Sequence, residues 1–140
     1  MTRSPSTYAF VLCTFIITAA RAGDSPVVAA IQDFMDFATF SEGAITPAQI
    51  RAAGVTEFMF VDTRSAEQYA NGHIPGAVQI EWRRILLERE RIPTDQSVVL
   101  YCDTGLLSSK AHFALRLAGY DENVKVMFGG YNNWTARPDD

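Results

Sequence analysis

Residues 97–109 read Ser97-Val-Val-Leu-Tyr-Cys-Asp-Thr-Gly-Leu-Leu-Ser-Ser109, an apolar run followed by a short loop that contains a cysteine and a glycine. The β-favouring residues 98–101 predict a strand that is buried on both faces, as in parallel sheets. Apolar residues then recur at helical spacing as far as residue 118. A strand, a short loop and a helix aim backbone N–H groups at the loop, so Cys102 is predicted to be a nucleophilic thiolate.

The first 22 residues are expected to be a signal peptide. Arg3 supplies a positive charge, residues 8–17 are apolar, and Ala20-Arg21-Ala22 places small residues where a signal peptidase reads. A membrane-spanning helix needs about twenty apolar residues, roughly twice the length of this run. We therefore predict cleavage after Ala22, a periplasmic or secreted protein, and no stable membrane span afterwards. An uncleaved N-terminal anchor is the alternative.

The charge and the cysteine count of the mature chain narrow the function. The 140 residues suit one domain, and removal of Arg3 and Arg21 would change the net charge from −4 to −6. Such an acidic surface argues against nucleic acid or anionic membrane as a partner. Cys102 would be the only cysteine left, which favours a chemical role in an oxidising compartment. Two histidines and one cysteine without close spacing predict no metal site, and no cofactor is expected.

Helices and strands alternate along the rest of the chain. Ser25-Pro26 predicts a helix that runs to residue 40 and either packs on the domain or docks a partner. Further strands are predicted at 44–45, 58–61, 77–80 and 124–128, and further helices at 47–53, after Ser65, at 81–91 and from the cysteine loop to 117. This order predicts an α/β domain with a mainly parallel sheet, whose sites lie at the carboxyl ends of the strands.

Several separated motifs together resemble the rhodanese-like domain. They are Asp62-Thr-Arg64, Glu67-x-Tyr69, Gly72-His-Ile-Pro-Gly-Ala77, Tyr101-Cys-x-x-Gly105-x-x-Ser108 and Gly129-Gly130-x-x-x-Trp134. The resemblance implies a three-layer α/β fold, in which a five-stranded, mainly parallel sheet has helices on both faces. We assign residues 23–43 to an N-terminal helical extension, 44–136 to the rhodanese-like domain and 137–140 to a C-terminal tail.

The resemblance also implies a sulfurtransferase. Its catalytic cysteine, here Cys102, takes sulfane sulfur from a donor such as thiosulfate and passes it from a persulfide to a thiophilic acceptor, cyanide or a thiol. The residues expected to bind the substrate are those of the following loop: Asp103, Thr104, Gly105, Leu106, Leu107 and Ser108. The other motif residues are expected to be structural: Asp62, Arg64 and Glu67 as a charge network, His73 as a hydrogen-bonded loop residue, and Gly76.

Two residues of the loop depart from the family pattern. Leu107 stands where many relatives carry an arginine that would pair with an anionic donor. Asp103 adds a negative charge, which should raise the pKa of the thiol and repel thiosulfate. Lys110, Arg83 and Arg84 are candidates to compensate from nearby segments. His112 and Arg116 are predicted to be surface residues, and Trp134 is predicted to close the core.

Three functions are alternatives to a sulfurtransferase. A module that carries sulfur or binds a partner without catalysis would suit Leu107, Asp103 and the apolar N-terminal helix. Redox sensing would use the same thiolate. A cysteine phosphatase of the Cys-x5-Arg type needs a guanidinium six residues after the nucleophile, and that position is Ser108. The phosphatase is therefore the poorest of the three.

Overall fold

A computed structural model describes residues 25–39 and 42–135. The predicted signal peptide and the whole predicted tail, residues 137–140, lie outside the described residues. The elements in chain order are α1 (Pro26–Phe37), β1 (Ala44–Ile45), α2 (Pro47–Ala53), β2 (Phe58–Asp62), α3 (Ala66–Asn71), β3 (Val78–Gln79), β4 (Ser97–Tyr101), α4 (Leu106–Leu117), β5 (Val124–Met127) and α5 (Gly130–Thr135). Single 3₁₀ turns lie at Val55–Glu57, Trp82–Arg84 and Arg89–Arg91.

The five strands form one sheet in the order β1-β5-β4-β2-β3, and every described strand pair is parallel. The predicted α/β fold with a five-stranded parallel sheet is therefore confirmed. β4 lies in the middle of the sheet, where β2 pairs on one side and β5 on the other. The short β1 is an edge strand, as its sequence predicts.

Two hydrophobic clusters cover the two faces of the sheet. Successive residues of β4 alternate between them: Val98 and Leu100 face the cluster that contains Leu115 of α4, while Val99 and Tyr101 face the other. All four strand residues are fully buried. This two-sided burial explains why β4 is a continuous apolar run rather than an alternating one. Trp134 packs at the margin of the second cluster and is partly buried.

The N-terminal helix α1 packs on the domain against α4, and the contact includes an aromatic pair. Phe34 meets Phe113 of α4 edge to face, with ring centroids 5.1 Å apart. The helix begins after Ser25 as predicted but ends at Phe37, and none of its residues is buried. Within the described part of the chain, no helix has both the length and the apolar character needed to cross a bilayer.

The helix predicted over residues 81–91 is wrong. The chain there forms two separate 3₁₀ turns, in which the N–H groups of Arg84 and Ile92 bind carbonyls three residues back. Ile85 is buried in these turns, whereas Leu86 is exposed.

The prediction of a surface position for His112 is also wrong. The imidazole is 8% exposed, lies against the backbone of Gly43, and its Nε2 is 3.1 Å from the carbonyl oxygen of Val124. Burial lowers the pKa of His112, although the Val124 carbonyl opposes this shift. Arg116, one turn further along α4, is mostly buried and pairs with Glu42 at 2.7 Å.

Candidate functional site

The cysteine loop, residues 102–105, lies between the end of β4 and the start of α4. Tyr101 is paired in register with Asp62, so β2 and β4 end side by side. Thr63 continues the pairing, since its N–H and its hydroxyl both donate to the carbonyl of Tyr101, at 2.8 and 2.9 Å. The carboxyl ends of these two strands therefore set the position of Cys102, where an α/β sheet is expected to carry its site.

Backbone N–H groups converge on the sulfur of Cys102. The N–H of Gly105 lies 3.2 Å from Sγ and the N–H of Leu107 lies 3.3 Å from it. Cys102 itself is 2% exposed. The first turn of α4 and the loop thus form a pocket of donors around one sulfur atom, which suits a negative charge there.

Ser108 adds a hydroxyl to this cradle. Its Oγ is 3.7 Å from Sγ and 3.0 Å from the carbonyl oxygen of Gly105, and the side chain is fully buried. A hydroxyl has one proton, and the shorter distance favours donation to Gly105. Because the Ser109 hydroxyl already donates to the same carbonyl at 2.7 Å, the Ser108 proton can turn to the sulfur when negative charge develops there.

The pKa of the Cys102 thiol is lowered from its ordinary value. Burial acts to raise this pKa, but the backbone N–H and the hydroxyl of Ser108 and the N–H groups of Thr104 and Leu107 outweigh it. Hydrogen bonds of this kind favour the charged form of a group. The site therefore holds a thiolate more readily than an ordinary buried cysteine would.

Gly105 leaves the N–H groups at the start of α4 free to bind the sulfur. It adopts the left-handed conformation, with φ of 96°, and occupies the N-cap of α4 without any side-chain cap. A Cβ at this position would lie 3.4 Å from the carbonyl oxygen of Met127, so the backbone also passes close to β5. Glycine permits this conformation and the close approach, as its place in the sequence predicts.

The start of α5 holds the cysteine loop from the other side. The N–H of Tyr131 donates to the carbonyl of Cys102 at 2.7 Å, and the N–H of Asn132 donates to that of Asp103 at 3.0 Å. A Cβ on Gly130 would lie 2.2 Å from the Cys102 carbonyl oxygen, so only glycine fits. The sequence predicts a tight turn at Gly129-Gly130 but not this contact, because nothing local shows which segment approaches.

A buried charge network lies beneath the loop and contains Asp62 and Arg64, as predicted, but not Glu67. Arg64, 5% exposed, binds both oxygens of the fully buried Asp62 and also reaches Asp103 at 3.0 Å. Gln68 donates to the other oxygen of Asp103 at 2.7 Å. Glu67, expected in the network, is instead exposed on the first turn of α3. The residue of α3 that faces the loop is therefore Gln68.

The remaining motif residues belong to the turn before β3. Nδ1 of His73 is 2.9 Å from the carbonyl oxygen of Tyr69, and the two rings stack at 3.7 Å. Gly76 has φ of 82° and follows Pro75 in a turn closed by the N–H of Ala77 on the carbonyl of Ile74. Proline followed by glycine with positive φ is the arrangement of a type II turn.

The cations proposed to compensate for Leu107 are engaged elsewhere. Arg83 pairs with Glu81 at 2.9 Å and Arg84 pairs with Glu88 at 2.6 Å. The ammonium of Lys110 lies 5.2 Å from the centre of the Trp82 ring, at cation–π distance. The compensation expected from these three side chains is therefore not seen.

The structure places the residues expected to bind substrate in three groups. Gly105, Leu107 and Ser108 contact the sulfur directly. The side chain of Asp103 turns to the charge network, while Thr104 and Leu106 line a cleft of about 500 Å³ between α4 and β5. Within residues 25–39 and 42–135, no group of acidic, histidine and cysteine side chains is arranged to hold a metal ion.

The fold and the site define an α/β protein that holds a cysteine sulfur among the N–H groups at the start of a helix. The family model described as Rhodanese-like domain matches residues 46–137, and the chain belongs to this family. A protein of Allochromatium vinosum named sulfurtransferase is 33% identical over 84 residues, which are 60% of this chain and 78% of that protein. The thiosulfate sulfurtransferase of Azotobacter vinelandii is 28% identical over 109 residues, 61% of this chain but 40% of that protein. The family is thus one of sulfurtransferases.

Solved structures agree with the fold. A rhodanese-like domain protein from Staphylococcus aureus matches 68% of this chain and 93% of its own, with a TM-score of 0.58 and 23% identity. A rhodanese-related protein from Thermoplasma volcanium matches 65% of this chain and 88% of its own, with a TM-score of 0.59 and 20% identity. At such identities the comparison speaks for the fold alone.

Proposed function

We propose that the protein is a sulfurtransferase that carries sulfane sulfur on Cys102 as a persulfide. The donor is a small sulfur anion such as thiosulfate, and the acceptor is a thiophile such as cyanide or a thiol. The observation that carries the proposal is the cradle of N–H groups from Gly105 and Leu107 on a buried sulfur whose pKa is lowered. A thiolate is the form of cysteine that attacks sulfur.

The transfer takes place in two displacements that leave the protein unchanged. The Cys102 thiolate attacks the outer sulfur of thiosulfate, a new S–S bond forms, and the old S–S bond breaks so that its electron pair leaves with sulfite. The acceptor then attacks the outer sulfur of the persulfide. With cyanide, thiocyanate leaves and the electron pair of the broken S–S bond returns to Cys102. The N–H groups of the cradle face negative charge on sulfur before, between and after the two steps.

The location and the partners follow from the sequence. A cleaved signal peptide would place the protein in the periplasm or outside the cell. Because these compartments are oxidising, a single unpaired thiol there favours a chemical role for Cys102. The net charge, which removal of Arg3 and Arg21 with the signal peptide would change from −4 to −6, supports small molecules or a protein, rather than nucleic acid, as partners.

A sulfur carrier that hands its cargo to a partner protein is the second candidate. The observation in its favour is Leu107, because the loop from Asp103 to Ser109 contains no cation to bind an anionic donor. Three arginines elsewhere in the chain, Arg64, Arg83 and Arg84, are paired with carboxylates. Such a carrier would form the same persulfide but discharge it slowly to cyanide.

The test is a loading and discharge experiment on the protein from residue 23. After incubation with thiosulfate, mass spectrometry should show a gain of one sulfur atom, and cyanide should remove it with release of one equivalent of thiocyanate. Cys102→Ser should show neither event. No gain in mass, or a gain that persists in Cys102→Ser, contradicts the proposal. A gain that cyanide leaves in place selects the carrier.

A further inference from the structure

We infer that Gln68 and Arg64 are positioning residues that act on Cys102 through Asp103, by binding the carboxylate that follows the cysteine in the chain. The inference deepens the proposed function and rests on it for the consequence in turnover. It differs from the expectation drawn from sequence, in which Asp103 is an unscreened charge that opposes the thiolate.

Each oxygen of the Asp103 carboxylate has its own donor. Nη1 of Arg64 lies 3.0 Å from Oδ1, and Nε2 of Gln68 lies 2.7 Å from Oδ2. The main chain of Asp103 is fixed as well, since its carbonyl accepts from the N–H of Asn132 at 3.0 Å. The residue next to the nucleophile is thus held at both ends, by β2 and α3 through its side chain and by α5 through its backbone.

Arg64 alone is not enough to satisfy Asp103. Asp62 takes the Nε hydrogen and one Nη2 hydrogen of Arg64, and the carbonyl of Gly72 takes the other at 2.7 Å. Only Nη1 is left for Asp103, so one guanidinium serves two carboxylates. The Tyr131 ring covers the guanidinium at 4.4 Å, and Lys110, the cation of α4 considered above, lies over Trp82. The remaining donor to Asp103 is the neutral amide of Gln68.

The contribution of Gln68 can be separated from its structural task, because the two ends of its amide do different things. Oε1 accepts from the N–H of Ser65 at 3.3 Å and completes the capping box of α3, while Nε2 donates to Asp103. A glutamate would preserve the cap, since Glu and Gln serve equally at this position of a capping box. It would also replace the donor to Asp103 by a repelling carboxylate. Gln68→Glu therefore removes the contact with Asp103 and keeps the helix start.

The chain offers a matched control on another helix. Gln49 of α2 occupies the same position of a capping box, where Oε1 accepts from the N–H of Thr46 at 2.9 Å and no bond to the cysteine loop is made. Gln49→Glu thus makes the same chemical change, with the same added charge, away from Asp103.

The experiment measures the rate at which iodoacetamide alkylates Cys102 as a function of pH. A carboxylate at position 68 would repel the Asp103 carboxylate toward the sulfur, and a nearby negative charge raises the pKa of a thiol. Gln68→Glu should therefore move the pH midpoint of alkylation upward and slow alkylation at pH 7 by about threefold or more. Gln49→Glu should follow the wild type. Gln68→Leu, which removes the donor without adding charge, should shift the midpoint in the same direction but less.

The decisive variant is the pair Gln68→Glu with Asp103→Asn. An asparagine amide can donate to Glu at position 68, which restores the bond with its polarity reversed, so the midpoint should return to that of Asp103→Asn alone. If Gln68→Glu and Gln68→Leu both titrate like Gln49→Glu, or if the double variant stays as slow as Gln68→Glu, the inference is overturned.

Sulfur loading from thiosulfate is measured on the same variants. Alkylation does not require sulfur transfer, so the two ideas fail separately. The expected pattern of alkylation without any loading would refute the proposed function and leave the positioning role intact. Unchanged alkylation midpoints with normal loading would refute the positioning role alone.

Discussion

The starts of α3 and α4 follow neighbouring strands at the same end of the sheet, yet they use their N–H groups in opposite ways. In α3 the Ser65 hydroxyl accepts from the N–H of Gln68 at 3.2 Å, and the Gln68 side chain accepts in return. In α4 the N-cap is Gly105, which has no side chain, and the N–H groups of the loop and first turn point at Cys102. Side chains of Ser65 and Gln68 bind the N–H groups at the start of α3, whereas the sulfur of Cys102 binds those at the start of α4.

The difference shows what makes a helix start functional. The first N–H groups of any helix lack partners within it, and a serine or threonine cap satisfies them locally. An uncapped start leaves them for a group that arrives from elsewhere. In this protein the sulfur of Cys102 takes the place of the cap, and it comes from the loop that joins β4 to α4. Variants at these two kinds of helix start should therefore differ in their effects on stability and on the reactivity of Cys102.

The largest effect is expected from Gly130→Ala, which presses on the cysteine loop. The new Cβ would lie 2.2 Å from the Cys102 carbonyl oxygen, at a residue with φ of 61°. Left-handed backbone costs an alanine about 1–2 kcal/mol, and the clash adds to it, so the free energy of unfolding should fall by more than about 2 kcal/mol. Urea denaturation provides the measurement.

Gly119→Ala is the control for this prediction. Gly119 also has a positive φ, of 89°, but no atom would lie within 4 Å of its Cβ. It should lose only the conformational part, about 1–2 kcal/mol, and keep the reactivity of Cys102. Equal losses in the two variants would mean that the contact between Gly130 and the loop contributes nothing.

A capped start should affect stability without touching the thiol. Thr46→Ala removes the cap of α2, whose box matches that of α3. The free energy of unfolding should fall by about 1 kcal/mol, the usual value of such a cap. The pH midpoint of Cys102 alkylation should stay where it is, because α2 has no bond to the cysteine loop. A shifted midpoint would show that the two kinds of helix start are coupled.

The smallest effect is expected in the pH dependence of stability. The pKa of Cys102 is lower in the folded protein than its ordinary value of 9.0, so the folded state releases its proton first. The extra stability is full above the pKa of the unfolded chain and is lost as the pH falls through the folded pKa. The stability of the wild type relative to Cys102→Ala should therefore rise with pH below 9, with a slope of at most about 1.4 kcal/mol per pH unit. A flat difference would argue against a thiolate cap.

The sequence predicts those features whose causes are local. The apolar run of β4, the glycine at the start of α4 and the proline at position 47 each act within a few residues. The structure confirms β4, α4, α2 and the parallel sheet. The position of Cys102 at the beginning of a helix follows from the same reasoning.

The features that the sequence does not predict depend on contacts between distant segments. His112 is buried because Gly43 and Val124 contact it, and the carboxylate of Asp103 is bound because Arg64 and Gln68 donate to it. The helical pattern of residues 81–91 gives two 3₁₀ turns, and the Tyr120 hydroxyl donates to the Arg89 carbonyl at the second of them. For His112 and Asp103 the periodicity of the sequence is intact, and a tertiary contact decides the outcome.

The sulfur of Cys102 lies where a capping side chain would otherwise be, and this couples the chemical state of the thiol to the start of α4. Whatever is attached to that atom also changes what closes α4, so chemistry and secondary structure share one set of hydrogen bonds. Empty, sulfur-loaded and alkylated protein should therefore melt at different temperatures. A thermal scan would then report the occupancy of the thiol without any label.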